Sequence, residues 1–121
     1  MGGREKIAGS QWRFRGDVVL EVAQLQVKPG EAAAFEDAMR RAAPLIASAA
    51  GYLSHEVQRC LETPGRYLLL VLWETLEAHT VGFRNSPAFA EWRAIIGGFF
   101  AGAPVVEHYE EVLRNSRQAI R

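Results

Sequence analysis

The sequence predicts an α+β fold of the ferredoxin-like split β-α-β-β-α-β kind, a four-stranded antiparallel sheet with two helices on one face. Three observations lead there. Strand-like and helix-like stretches follow one another in the order strand, helix, strand, strand, helix, strand. Thr63-Pro64-Gly65 is a tight-turn signal between the second and third strands, so those two form a hairpin. The third strand, RYLLLVLW over residues 66–73, is apolar on both of its faces, so each face of the sheet needs a cover.

The elements follow in chain order. Residues 17–28 (DVVLEVAQLQVK) are rich in Val and Leu and form the first strand, which Pro29-Gly30 stops. From Glu31 to about Ala43, Phe35, Ala38, Met39 and Ala42 recur at helical spacing, with Arg40 and Arg41 on the exposed side. Pro44 lacks a backbone donor and is expected to kink or end this helix. Gly51 marks the exit, and residues 52–62 form the second strand, polar at alternate positions. After the third strand, Thr75 is a plausible N-cap for a short helix to about Phe83, with Glu77 in its first turn. Ser86-Pro87 restarts the helix, Ser as cap and Pro at the first position. Phe89, Trp92, Ile96, Phe99 and Phe100 share its apolar arc. Gly97-Gly98 weakens its far end, and Gly102 and Pro104 stop it. Residues 105–113 (VVEHYEEVL) are the last strand.

With 121 residues the chain fits one domain, expected over residues 17–113. Residues 1–16 read as a flexible N-terminal extension, or as an arm anchored on a neighbouring subunit by Trp12 and Phe14. Residues 114–121 read as a polar, basic tail. The content of 49% hydrophobic residues is enough to bury a core, which excludes a disordered chain. Lys plus Arg and Asp plus Glu both number 14, and this neutral balance argues against nucleic acid or an anionic membrane as partner. No apolar run approaches the roughly 18–20 residues of a membrane span. One cysteine, Cys60, and no signal peptide fit a cytoplasmic protein. Two helices can cover only one sheet face, so the apolar third strand predicts a homodimer, a second copy packed sheet against sheet.

Several chemistries are missing. There is no G-x-G-x-x-G after a strand, no P-loop, no G-x-S-x-G, no H-E-x-x-H and no Cys-x-x-Cys. His55, His79 and His108 lie on three different elements, so spacing supports no metal site. Cys60 reads as a small structural residue. What remains is an aromatic cluster with a few polar groups. Trp73, Phe83, Phe89 and Trp92 offer apolar surface, whether as core or as pocket wall. Arg93 sits at the edge of the helical arc, either turned outward in a salt bridge or into a cavity. His79 lies at helical spacing from Leu76 and Phe83 and faces the packed side, as a satisfied core histidine or a site residue. His108 and Tyr109 point to opposite faces of the last strand, so only one of them can line a given pocket. Arg84 reads as solvated.

The stretches Trp73-Glu74-Thr75-Leu76-Glu77-Ala78-His79, Phe83-Arg84-Asn85-Ser86-Pro87-Ala88-Phe89 and Glu107-His108-Tyr109 resemble the antibiotic biosynthesis monooxygenase (ABM) domain family. So do Ala23-Gln24-Leu25-Gln26-Val27-Lys28-Pro29-Gly30 and Gly51, over about residues 18–112. The resemblance implies a dimeric α+β barrel. It also implies a cofactor-free monooxygenase that oxidises polycyclic phenols with a Trp, an Arg, a Tyr and an Asn. The first two fall on Trp73 and Arg93, whereas His79 stands in the Tyr position and Leu69 in the Asn position. The haem-degrading branch shares the strand-end Trp. Its helix His falls at or beside Arg93 and its strand Asn at Val22 or Ala23, so that activity is not expected.

The functional expectation is therefore a monooxygenase that uses O₂ on a flat phenol or hydroquinone-type molecule, with no cofactor and no metal. Its catalytic residues would be His79, Arg93 and Trp73, with Phe83, Phe89, Trp92 and His108 binding the substrate. Arg93 would stabilise the phenolate, and His79, titrating near neutral pH, would exchange the proton. The alternatives are a non-catalytic small-molecule-binding dimer and a structural dimer whose pocket is filled by Phe99 and Phe100.

Overall fold

The computed structural model of the protein describes residues 4–7, 11–14 and 18–117. In the N-terminal segment, β1 (Arg4–Ile7) and β2 (Gln11–Phe14) pair antiparallel as a separate two-stranded sheet. The expected anchors Trp12 and Phe14 have side chains outside the described residues.

The main sheet contains β3 (Val19–Gln26), β4 (Tyr52–Arg59), β5 (Arg66–Trp73) and β6 (Val105–Tyr109) in the order β4-β5-β3-β6, every neighbour antiparallel. Helices α1 (Ala32–Ala47) and α2 (Pro87–Ile96) lie in the two crossovers. This is the split β-α-β-β-α-β topology that the order of elements predicts. The hairpin turn needs Gly65, whose φ of 77° suits glycine, and a Cβ there would lie 2.7 Å from the Val27 carbonyl oxygen.

Alternation along the strands separates two faces. On β5, Tyr67, Leu69, Val71 and Trp73 are buried beneath the helices. They join Ala23, Leu25 and Val27 from the first strand and its end, Phe35, Met39, Ala42 and Ile46 from α1, and Trp92 and Ile96 from α2. The opposite face has no helix among the described residues. Its central rungs are Leu20 between Leu72 and Tyr109, and Val22 between Leu70 and Glu107. Leu68, Leu70 and Leu72 are only half-buried, and Val105 and Tyr109 are exposed.

Several boundaries differ from the sequence reading. Helix α1 continues through Pro44 to Ala47 instead of ending there. Phe35, Ala38, Met39, Ala42 and Ile46 form one buried face, and packing along it outweighs the single lost donor. The second helix is shorter than expected. It ends at Ile96, followed by a 3₁₀ turn over Gly97–Phe99. Here the glycine backbone is claimed by the end of β3. Lys28 N–H donates to the Phe99 carbonyl at 2.9 Å, Ala101 N–H to that of Gln26 at 2.7 Å, and Lys28 Nζ to that of Gly98 at 2.9 Å. Strand β6 stops at Tyr109 because its ladder with β3 ends at the Leu20–Tyr109 pair. Strand β4 stops at Arg59, which leaves the half-buried Cys60 in the hairpin loop rather than on the strand.

Candidate functional site

The chain between β5 and α2 positions the site. Thr75 Oγ1 accepts from Ala78 N–H at 3.1 Å, the predicted cap. Ala78–Phe83 then form a π-helical turn, in which Arg84 N–H reaches back to the His79 carbonyl at 3.1 Å. Gly51 brings this turn close. Its φ is 86°, its carbonyl accepts from Glu74 N–H at 2.8 Å, and a Cβ on it would stand 2.6 Å from Ala78 Cβ. Ser86 caps α2 by accepting from Phe89 N–H at 3.2 Å, with Pro87 in the first helical position.

The wide turn presses His79 onto the sheet, where it is buried. Its ring stacks on Trp73, with centroids 5.3 Å apart and planes inclined by 19°. Beneath it, sheet register brings two further polar groups together. Glu21 of β3 is the cross-strand partner of His108 of β6, and both point to the helical side. Trp73 Nε1–H donates to Glu21 Oε1 at 3.0 Å, and His79 Nε2 lies 3.4 Å from that same oxygen. On its other edge His79 Nδ1 meets His108 Nε2 at 2.8 Å. The result is a continuous row, His108, His79, Glu21, Trp73. Trp73, His79 and Glu21 are buried, whereas His108 is half-exposed at its outer end.

Burial opposes charge along this row. It raises the Glu21 carboxyl, an effect partly offset by the Trp73 hydrogen bond and the Arg84 charge. It pushes His79 down to about 4, with the Arg84 and His108 charges acting in the same direction. His108 is lowered too, by burial and then by Arg84. His79 is thus a neutral imidazole at neutral pH, and its contact with Glu21 is not an ion pair. The expected titration near neutrality is shifted down because the ring is buried, with the charge of Arg84 acting in the same direction.

Around the row stands the aromatic group that the sequence singles out. Phe83 lies 5.8 Å from Trp73, 5.3 Å from Phe89 and 6.3 Å from Trp92, centroid to centroid. Trp73, Phe83 and Trp92 are buried and pack into the core, and Phe89 is half-buried. Arg93 is exposed, with its guanidinium 5.9 Å from the Phe89 ring centroid. The structure therefore brings Trp73, His79, Phe83 and His108 together, and places Arg93 outside, beyond Phe89. Phe99 and Phe100 pack edge-on or tilted against Phe35, at 6.0 and 6.1 Å.

Sequence reasoning missed Glu21 and the electrostatic reach of Arg84. A signal existed for the first. Glu21 has the same strand parity as Ala23, Leu25 and Val27, so the alternation itself places a carboxylate on the core side. Among the described residues no group of three or more His, Cys, Asp or Glu side chains is arranged to hold a metal ion. No helix among them is long and apolar enough to cross a membrane.

A second feature is a cleft of about 490 Å³ between α1 and β4, lined in part by Met39, Arg40, His55, Val57, Arg59 and Tyr67. Glu36 stands at its wall. It accepts from Tyr67 Oη at 2.5 Å and from Arg59 Nε and Nη2 at 3.0 and 2.7 Å, and these bonds hold its carboxyl below the usual range. His55 Nδ1 pairs with Tyr52 Oη at 2.6 Å, and burial lowers His55.

Residues 18–95 match the protein family described as antibiotic biosynthesis monooxygenase. The chain is 47% identical over 95 residues to YczJ, an uncharacterised protein of Bacillus subtilis (strain 168), a match covering 78% of this chain and 100% of YczJ. It is 41% identical, with a TM-score of 0.78, to a crystal structure from Bordetella bronchiseptica provisionally named an antibiotic biosynthesis monooxygenase, covering 80% of this chain and 99% of that one. SnoaB, a cofactor-independent oxygenase from Streptomyces nogalater, has a TM-score of 0.65 at 21% identity, over 86% of this chain and 100% of its own. At that identity the likeness to SnoaB is one of fold.

Proposed function

The chain belongs to the antibiotic biosynthesis monooxygenase family, and from that premise we propose that it is a cofactor-independent monooxygenase acting on a flat phenol or hydroquinone-type molecule. The observation that carries this reading is the neutral His79, buried against Trp73 and joined to His108 at 2.8 Å. A neutral imidazole pair with one end near solvent can take up a proton and return it. Loss of a phenolic proton leaves an electron-rich anion that reduces O₂ directly. Carbon–oxygen bond formation gives a hydroperoxide, and loss of water leaves the quinone. One oxygen atom stays in the product and the other departs as water.

In this reading His79 and His108 handle the proton. Trp73 orders the rings beside them, and Phe83, Phe89 and Trp92 form the apolar wall. Arg93 meets the substrate's oxygen where the ligand extends past Phe89. Oxygen uptake with hydroquinones, in chelator-treated buffer, tests the proposal. His79→Ala should lower kcat by about 10²–10⁴-fold, the usual contribution of a general acid–base group. Normal turnover by both His79→Ala and Arg93→Ala would overturn it.

The α1–β4 cleft favours a second reading, binding without turnover. Its volume is of ordinary ligand size, and its Met39 and Val57 wall with Arg40 at the mouth suits an aromatic carboxylate. Saturable binding with no oxygen uptake would select this reading.

In either case the helix-free face is proposed to pack on a second copy, because Leu20, Val22, Leu70 and Leu72 form a contiguous apolar centre there. Sedimentation should show a dimer that Leu70→Arg dissociates. A monomeric native protein would refute the pairing.

A further inference from the structure

Glu21 has no part in the reading above, yet it is the carboxylate that faces the buried histidine. Its Oε1 already accepts Trp73 Nε1–H at 3.0 Å, and the same atom lies 3.4 Å from His79 Nε2. A carboxylate oxygen has two lone pairs, so it can accept a second N–H beside the first, and it offers no proton of its own. If His79 carries its proton on Nε2, its Nδ1 is a lone pair, and the 2.8 Å contact requires His108 to donate from Nε2. His108 Nδ1 is then the acceptor at the half-exposed end. Each donor in the row meets an acceptor, and the row points in one direction.

We propose that Glu21 is the positioning residue of this site: it holds His79 as the Nε2–H tautomer, so that His108 Nδ1 is the atom that accepts the substrate's proton. This rests on the acid–base reading of the histidine pair and deepens it. When His108 Nδ1 gains a proton, the positive charge stays on His108, the less buried ring, and its Nε2–H donates to the Nδ1 lone pair of His79. Returning the proton reverses the transfer, and no other reactant is consumed. The charged and titratable groups facing His79 are Glu21 from β3, His108 from β6 and Arg84 at the end of the π turn, and Trp73 of β5 lies against its ring. Arg84 opposes a cation on this row, and the chain of acceptors ending at Glu21 favours it.

Histidine ¹⁵N NMR of the full-length resting protein reads the tautomers without substrate. The native protein should show His79 protonated at Nε2. Glu21→Gln retains an acceptor oxygen and should keep that tautomer. Glu21→Leu removes the acceptor and should give a mixture. In oxygen uptake with a hydroquinone, Glu21→Gln should lower kcat by about 10–100-fold at unchanged KM, because the amide keeps the acceptor oxygen but lacks the negative charge at the end of the row. A native His79 protonated at Nδ1, or a tautomer unchanged in Glu21→Leu, overturns the inference. If Glu21→Leu fails to fold, the native spectrum and the Glu21→Gln kinetics still decide it. The two ideas fail separately. The Nε2–H tautomer without oxygen uptake by any phenol removes the enzymatic reading and leaves the positioning role, whereas uptake with the other tautomer removes only the role of Glu21.

Discussion

Glu21, at the Trp73 end of the sheet, and Glu36, on α1 beside the α1–β4 cleft, are both held by hydrogen bonds, yet the protein shifts them in opposite directions. Glu36 accepts from a phenol and from the guanidinium of Arg59, whose side chain stays largely in water, and its carboxyl is stabilised as an anion. Glu21 accepts an indole N–H and faces a neutral imidazole in a dry pocket, and its carboxyl is raised. Hydrogen-bond donors alone do not decide the charge of a carboxyl. Water decides it: burial is the largest influence on Glu21, whereas at Glu36 the bonds from Tyr67 and then Arg59 outweigh it. The Glu36 carboxyl is thus favoured as an anion and the Glu21 carboxyl disfavoured as one.

The aromatic donors of the two carboxyls differ most in what they bury. Trp73→Ala removes a fully buried indole and the donor to Glu21. It should cost about 3–5 kcal/mol in denaturant unfolding. Tyr67→Phe removes only the hydroxyl that bonds Glu36, and should cost about 1 kcal/mol. Comparable losses for the two would mean that the Trp73 end is no better packed than the cleft.

Acid titration tests the next difference. The unfolded chain protonates His79 near its ordinary 6.5, but the folded protein does so only at about 4. Proton uptake then favours the unfolded state, so stability falls as pH drops from about 6.5 to about 4. The loss is at most on the order of 3 kcal/mol, with water at the His108 end screening part of it. Glu21 runs the other way, because a raised carboxyl is relieved by acid. Thermal melts of the native protein and of His79→Gln across this range isolate the histidine. The variant should lose less stability on acidification, and parallel curves would contradict a dry His79. Glu36, with its lowered carboxyl, contributes stability above its unfolded value and loses it only as pH falls further, through its folded one.

The smallest effect belongs to Arg59. Its bond to Glu36 is largely exposed, so Arg59→Ala should change stability the least of these substitutions, and less still in high salt. A larger loss would show that the cleft wall depends on that ion pair.

Much of the fold was legible because local signals agreed. The hairpin follows from Pro64-Gly65, the start of α2 from Ser86-Pro87, and the face of α1 from Phe35, Ala38, Met39 and Ala42. Legibility failed where distant backbone intervened. Pro44 did not end α1 because the buried face continues to Ile46, and α2 did not run on to Gly102 because Gln26 and Lys28 bond the segment after Ile96 instead. The aromatic members of the site were readable from their types and spacing. Glu21 was readable only by counting strand parity, and its partners not at all.

What the sequence determined by itself was the order of elements and the side of each element that turns inward, since both depend on periodicity and on residues that restrict the backbone over a few positions. Which inward-facing groups touch was decided by the tertiary structure. The β3–β6 register sets Glu21 beside His108, and the π turn, resting on Gly51, lowers His79 between them. Protonation followed from that assembly, because the electrostatic cost of a charge depends on the water that all the surrounding elements together exclude.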